Sequence, residues 1–196
     1  MDPALKHNEG APPGSEGWAR EREARARFYA ESVQRAVLSI DPQVQQDFVQ
    51  SLLAARQIVV AGRGRSGMMA SAFARRLGQM GLATWALDDS TVPRLGEHDA
   101  LVAVTGSGTT PTVLSLMHTA RQGGSRVLVV TRKPARTFDV ADVTVELNVP
   151  MGGERFPLGT LFEVSALAFL DEASVDMIQR LGATEHDLGA RHTNLE

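Results

Sequence analysis

Residues 58–67 read Ile58-Val59-Val60-Ala61-Gly62-Arg63-Gly64-Arg65-Ser66-Gly67. Three β-branched residues and an alanine make a short buried strand. The glycine-rich turn that follows opens onto a segment, 68–80, with the apolar spacing of a helix. Strand, glycine turn and helix form half of a βαβ unit, and the same grammar recurs downstream. Strands are expected at 82–87, 100–104, 126–131 and 143–147. Helices are expected at 112–122, 160–181 and 184–191, with a short helical turn near Phe138. Upstream, 18–40 reads as a helix, and Asp41-Pro42 caps a second one that runs to about Arg56. Continuous apolar strands separated by helices predict a parallel sheet covered on both faces. The fold class is therefore α/β. The expected architecture is a doubly wound, five-stranded parallel sheet flanked by helices, a flavodoxin-like three-layer sandwich with N-terminal and C-terminal helical extensions.

In such sheets ligands sit beyond the carboxyl ends of the strands, so the loops there carry the chemistry. Gly62 to Gly67 satisfies the GxGxxG dinucleotide pattern, and Asp88 and Asp89 stand about 20 residues on, where a ribose contact belongs. A nicotinamide enzyme is thus one reading. Against it, Arg63 and Arg65 are bulky for a loop that must admit a pyrophosphate, and Ser66 offers a hydroxyl at a helix start. A second loop, Thr105-Gly106-Ser107-Gly108-Thr109-Thr110-Pro111, follows the strand ending at Val104. Its glycines permit tight turns, its hydroxyls can donate, and Pro111 opens a helix whose free amides favour an anion. The two loops together predict a phosphate cradle built from Ser66, Thr105, Ser107, Thr109 and Thr110, with Arg65 pairing with phosphate or a sugar oxygen.

The rest of the composition narrows the class. A charged fraction of 22% and a net charge of -3 give no global pull toward nucleic acid. The absence of cysteine removes disulfides, thiolate nucleophiles and Cys-based zinc sites. No apolar run is long enough to span a bilayer, and the first residues lack a signal-peptide core, so a cytoplasmic location is expected. Gly, Pro and Ser crowd the N-terminus. Residues 1–16 are expected to be a disordered tail and 17–196 a single domain.

Strand-GxGxS-helix followed by strand-SGSGxT-helix resembles the signature of SIS (sugar isomerase) domains, with Thr105 where the family usually has serine. Further segments resemble 6-phospho-3-hexuloisomerases. They are the GRGRSG loop, the stretch from Asp89 to Pro93, Phe156-Pro157-Leu158-Gly159-Thr160-Leu161-Phe162-Glu163, Phe169-Leu170-Asp171, and Arg191-His192-Thr193-Asn194-Leu195. The likeness runs from about Arg35 to the last residue.

The resemblance implies interconversion of 3-hexulose 6-phosphate and fructose 6-phosphate through an enediol, as in the ribulose monophosphate pathway. It implies Glu163 as the base, His192 as the acid or oxygen-polarising group, and Asp89 as a holder of sugar hydroxyls. It implies no metal and no cofactor. The partners it implies are a phosphorylated ketohexose and further copies of the chain, in a dimer or tetramer with sites between subunits. A non-catalytic phosphosugar sensor is the competing reading. It would keep Ser66, Ser107 and Thr110 without needing the segments of Glu163 and His192.

Overall fold

A computed structural model describes residues 11–134, 138–153 and 156–195. The first ten residues of the expected tail lie outside it. Helix α1 spans Glu16–Leu38, with the Ser15 side chain accepting from the Trp18 amide. Helix α2 spans Pro42–Leu53 behind an Asp41 cap. Then come β1 (Ile58–Gly62), α3 (Arg65–Gln79), β2 (Thr84–Ala86), β3 (Ala100–Thr105), α4 (Pro111–Gln122), β4 (Arg126–Arg132), β5 (Val143–Leu147), α5 (Thr160–Leu181) and α6 (Glu185–Ala190).

The five strands form one parallel sheet in the order β2-β1-β3-β4-β5. Side chains alternate across it, as the pleat requires. Ile58, Val60, Val102, Val104, Leu128 and Val130 face a core shared with α1, α2, α3 and α5, which includes Phe48, Phe73 and Phe169. Val59, Ala61, Leu101, Ala103, Val127 and Val129 face a smaller core closed by Val113 and Met117 of α4. The two faces explain why the central strands are apolar at every position.

Three elements depart from the sequence expectation, two of them beside the site. Helix α3 starts at Arg65, ahead of the first apolar-periodic residue, because Gly64 adopts φ 57° and turns the backbone straight into the helix. Arg65 and Ser66 therefore belong to a helical first turn. Strand β2 is shorter than 82–87. The Leu82 amide bonds back to the Leu77 carbonyl and closes the end of α3. After Ala86, the Asp89 carboxylate accepts from the Ala86 amide at 2.9 Å and turns the chain away. Helix α2 ends at Leu53, short of Arg56. Arg56 instead pairs with the buried Asp99 at the opposite rim of the sheet (3.1 Å). Burial pushes the Asp99 carboxyl up, but hydrogen bonds from Arg56 and the Gly96 amide outweigh it and hold the carboxyl below its ordinary range.

Among the described residues, no helix is long and apolar enough to cross a membrane.

Candidate active site

Chain order reverses between β1 and β3: β1 is followed outward by β2 on one side, and β3 begins the run to β5 on the other. The loops leaving β1 and β3 diverge at this switch point and open a crevice at the carboxyl ends of the strands. A cavity of about 160 Å³ lies there, lined by Ser66 from α3, Thr105, Ser107 and Thr110 from the β3–α4 loop, and Glu163 from α5.

Three helices present their N-termini to this cavity. The caps of α3 (Gly64), α4 (Thr110) and α5 (Gly159) make no side-chain capping bond. The caps of α1, α2 and α6 all do, through Ser15, Asp41 and Thr184. A helix start leaves amide donors without intrahelical partners, and its dipole favours negative charge. The uncapped starts are therefore gathered where an anion would satisfy them.

The local sequence sets this geometry. A Cβ at Gly62 would sit 2.8 Å from the Gly67 nitrogen, so only glycine lets β1 run this close to the start of α3. A Cβ at Gly106 would sit 2.7 Å from Cδ1 of Phe162. The buried Phe162 ring thus packs against the β3–α4 loop and fixes the first turn of α5 beside it. Leu158 and Gly159, both at positive φ, make the turn that starts α5, and the Glu163 amide donates to the Gly159 carbonyl at 3.0 Å. Leucine at φ 56° is an uncommon conformation of the kind that concentrates at functional sites.

Glu163 is 7% exposed, an unusual depth for a carboxylate. Its partner is Arg65, whose Nε donates to Glu163 Oε2. The Arg65 side chain is mostly in solvent, so the pair runs from the cavity wall outward.

The hydroxyls divide into two sets. Thr105 is buried and works inside the loop. Its Oγ1 accepts from the Gly108 amide at 3.2 Å, and its carbonyl accepts from Thr131 Oγ1 at 2.7 Å. Ser107 and Thr110 stand 3.4 Å apart, oxygen to oxygen, at the cavity wall. Thr109 is exposed, and its amide donates to Ser107 Oγ at 3.2 Å. It is not among the residues lining the cavity.

Asp89 and His192 lie elsewhere in the same chain. Both line a second cavity, of about 430 Å³, beside the edge strand β2 and α3, together with Arg75 and Arg191. His192 is exposed, with Nδ1 3.1 Å from the Thr193 carbonyl. Its segment is held by α6, whose Thr184–Asp187 capping box starts the helix. The Thr184 hydroxyl and amide keep the Asp187 carboxyl below its ordinary range. Arg191 anchors the end of α6 on the Asp187 and Gln79 carbonyls. Within one chain, then, Glu163, Ser66, Thr105, Ser107 and Thr110 come together, with Arg65 on Glu163, and Thr109, Asp89 and His192 do not line that cavity. Arg63, which the sequence reading left without a role, also lines the first cavity.

Comparisons with known proteins place the chain in a family and match its fold. The family model of the SIS domain matches residues 51–153. An uncharacterized protein of Archaeoglobus fulgidus is 36% identical over 165 residues, covering 80% of this chain and 90% of its own. A 3-hexulose-6-phosphate isomerase of Methanocaldococcus jannaschii is 31% identical over 147 residues, covering 75% of this chain and 81% of its own. A crystal structure of a Methanococcus jannaschii protein, from which a 3-hexulose-6-phosphate isomerase function was inferred, superposes with a TM-score of 0.79. Its identity is 26%, over 90% of this chain and 99% of that one.

Proposed function

The chain belongs to the SIS-domain family and, within it, to the 3-hexulose-6-phosphate isomerases, and from that premise we propose that it interconverts D-arabino-3-hexulose 6-phosphate and D-fructose 6-phosphate. The observation that carries this reading is the junction of three uncapped helix starts with one buried carboxylate in a single small cavity. The first element suits a phosphate monoester. The second suits removal of a proton from carbon beside a carbonyl.

In the proposed mechanism the substrate phosphate rests on the first turns of α3 and α4, against Ser66, Ser107 and Thr110. Glu163 takes the proton from C2. The C2–H electrons form the C2=C3 bond, and the C3 carbonyl oxygen gains a proton to give the enediol. The O2 proton then leaves as the C2 carbonyl forms, and Glu163 returns its proton to C3. The protons taken and returned balance and no electrons are gained or lost, so the sum is a net isomerisation. Arg65 holds the carboxylate at the wall and balances its charge while it is ionised.

Proton traffic at the oxygens needs an acid, and His192 is the residue we assign to it. Because His192 and Asp89 line a different cavity of their own chain, this role requires them to reach the cavity of a neighbouring copy. The active unit is therefore a homo-oligomer, a dimer or tetramer, with each site shared between subunits. The apolar side chains at the cavity support this: Met151 and Leu158, which both line it, are 39% and 91% exposed. The ribulose monophosphate pathway and the cytoplasm are the setting this reading implies.

The test is a coupled assay in which 3-hexulose 6-phosphate is supplied and fructose 6-phosphate is detected. Turnover supports the reading. Tight phosphosugar binding without turnover would make the chain a sensor instead.

A further inference from the structure

The x position of the first glycine turn carries Arg63, and its side chain has two available partners. One is Asp88 in the turn after β2, with Nη1 to Oδ1 at 3.9 Å. The other is the cavity that Arg63 lines together with Ser66, Ser107 and Thr110. Among the described residues lining that cavity, Arg63 is the one cation. Arg65, two residues on, is taken up by Glu163.

The charge balance makes the choice of partner matter. A phosphate monoester brings a charge of about -1.5 to -2 at neutral pH. It would enter a cavity that already holds the Glu163 carboxylate, whose charge Arg65 offsets. The helix starts contribute partial positive charge but no mobile cation. The Arg63–Asp88 pair is long and both side chains are well exposed, so breaking it costs little. The backbone beneath Arg63 is fixed, since its carbonyl accepts from the Gly67 amide at 3.3 Å. The side chain can therefore move without disturbing the turn.

We propose that Arg63 is a phosphate clamp: it exchanges Asp88 for the phosphate of a bound substrate, with Asp88 competing for it. The inference rests on the phosphate-binding reading of the cavity and is independent of whether turnover occurs there. Asp88 then sets how tightly the phosphate is held, because it is the counter-ion that binding must displace.

Titration of the full-length protein with inorganic phosphate at low salt, followed by calorimetry, tests this. Arg63→Gln raises the dissociation constant about tenfold or more, the range for a charge-assisted hydrogen bond. Arg63→Lys restores part of the loss. Asp88→Asn acts in the opposite direction and tightens binding, by up to about fivefold. The double variant behaves as Arg63→Gln alone. Unchanged binding in Arg63→Gln, weaker binding in Asp88→Asn, or no phosphate binding by the parent protein would each overturn the clamp. Arg63-dependent binding by a protein that fails the coupled assay would sink the isomerase reading and leave the clamp standing.

Discussion

Arg65, the first residue of α3, is ion-paired with Glu163 in the first turn of α5, across 98 positions of sequence. The pair joins the glycine loop after β1 to the helix that carries the proposed base. It also gives Arg65 a second candidate role. The sequence reading made it a phosphate or sugar ligand, and the structure places its guanidinium on a carboxylate.

The two roles separate kinetically. If Arg65 positions Glu163, Arg65→Met lowers kcat by about tenfold to a hundredfold, the range for losing a hydrogen bond between charged groups. The KM for the phosphosugar then changes far less. A large rise in KM with kcat preserved would return Arg65 to the phosphate.

The close approach of Gly106 to Phe162 yields a second expectation. Gly106→Ala puts a methyl group 2.7 Å from the buried Phe162 ring, so ring or loop must shift. Strain of this kind costs about 1–3 kcal/mol, read as a lower midpoint in urea. Turnover falls as well, because the ring carries the first turn of α5. Replacing Phe162 by leucine in the same chain recovers part of the stability. An unaltered midpoint in Gly106→Ala would mean that the loop and α5 are not coupled.

A site shared between subunits predicts complementation. Glu163→Gln and His192→Ala are each inactive alone. Unfolding and refolding them together yields mixed oligomers in which some sites combine an intact Glu163 with an intact His192, and turnover returns. A mixture as dead as its parents would place both residues in one chain's site, or deny His192 a role.

Asp99 contributes to stability at acid pH, far from the chemistry. Its folded carboxyl lies below its ordinary range, so it contributes stability that is fully present above about pH 3.9 and is lost as pH falls through the folded value. Asp99→Asn removes that dependence. It also costs about 1–3 kcal/mol at neutral pH by weakening the bonds to Arg56 and the Gly96 amide. Urea midpoints measured from about pH 2 to pH 7 check both effects. A parent and a variant with parallel profiles would contradict the assignment.

Much of this was legible in the sequence because strands and helices announce themselves locally. The runs at Ile58, Leu101 and Val127 are apolar at every position, and only a sheet covered on both faces demands that. The glycine loops were equally legible, since strand, glycine turn and helix have few solutions. The ends of elements were harder. Helix α3 starts before its apolar stripe because Gly64 supplies the turn, and β2 is cut short when the Asp89 side chain captures the Ala86 amide. Relationships between distant residues were not legible. Nothing near Gly106 announces Phe162, and nothing near Arg65 announces Glu163. The division among the hydroxyls was hidden for the same reason. Thr105, Ser107, Thr109 and Thr110 look alike in sequence, but Thr109 stays outside the cavity lining, and of the three that line it Thr105 is buried with its hydroxyl engaged by the Gly108 amide.

The central claim is that the Glu163 carboxylate moves a proton between adjacent carbons of a phosphorylated ketose. The most direct measurement compares the parent protein with Glu163→Gln in the coupled assay, while binding of fructose 6-phosphate is followed by calorimetry. The account predicts a loss of kcat of about a hundredfold to ten-thousandfold, the range for general base catalysis, with binding retained within a few fold. Turnover by Glu163→Gln close to that of the parent would contradict it.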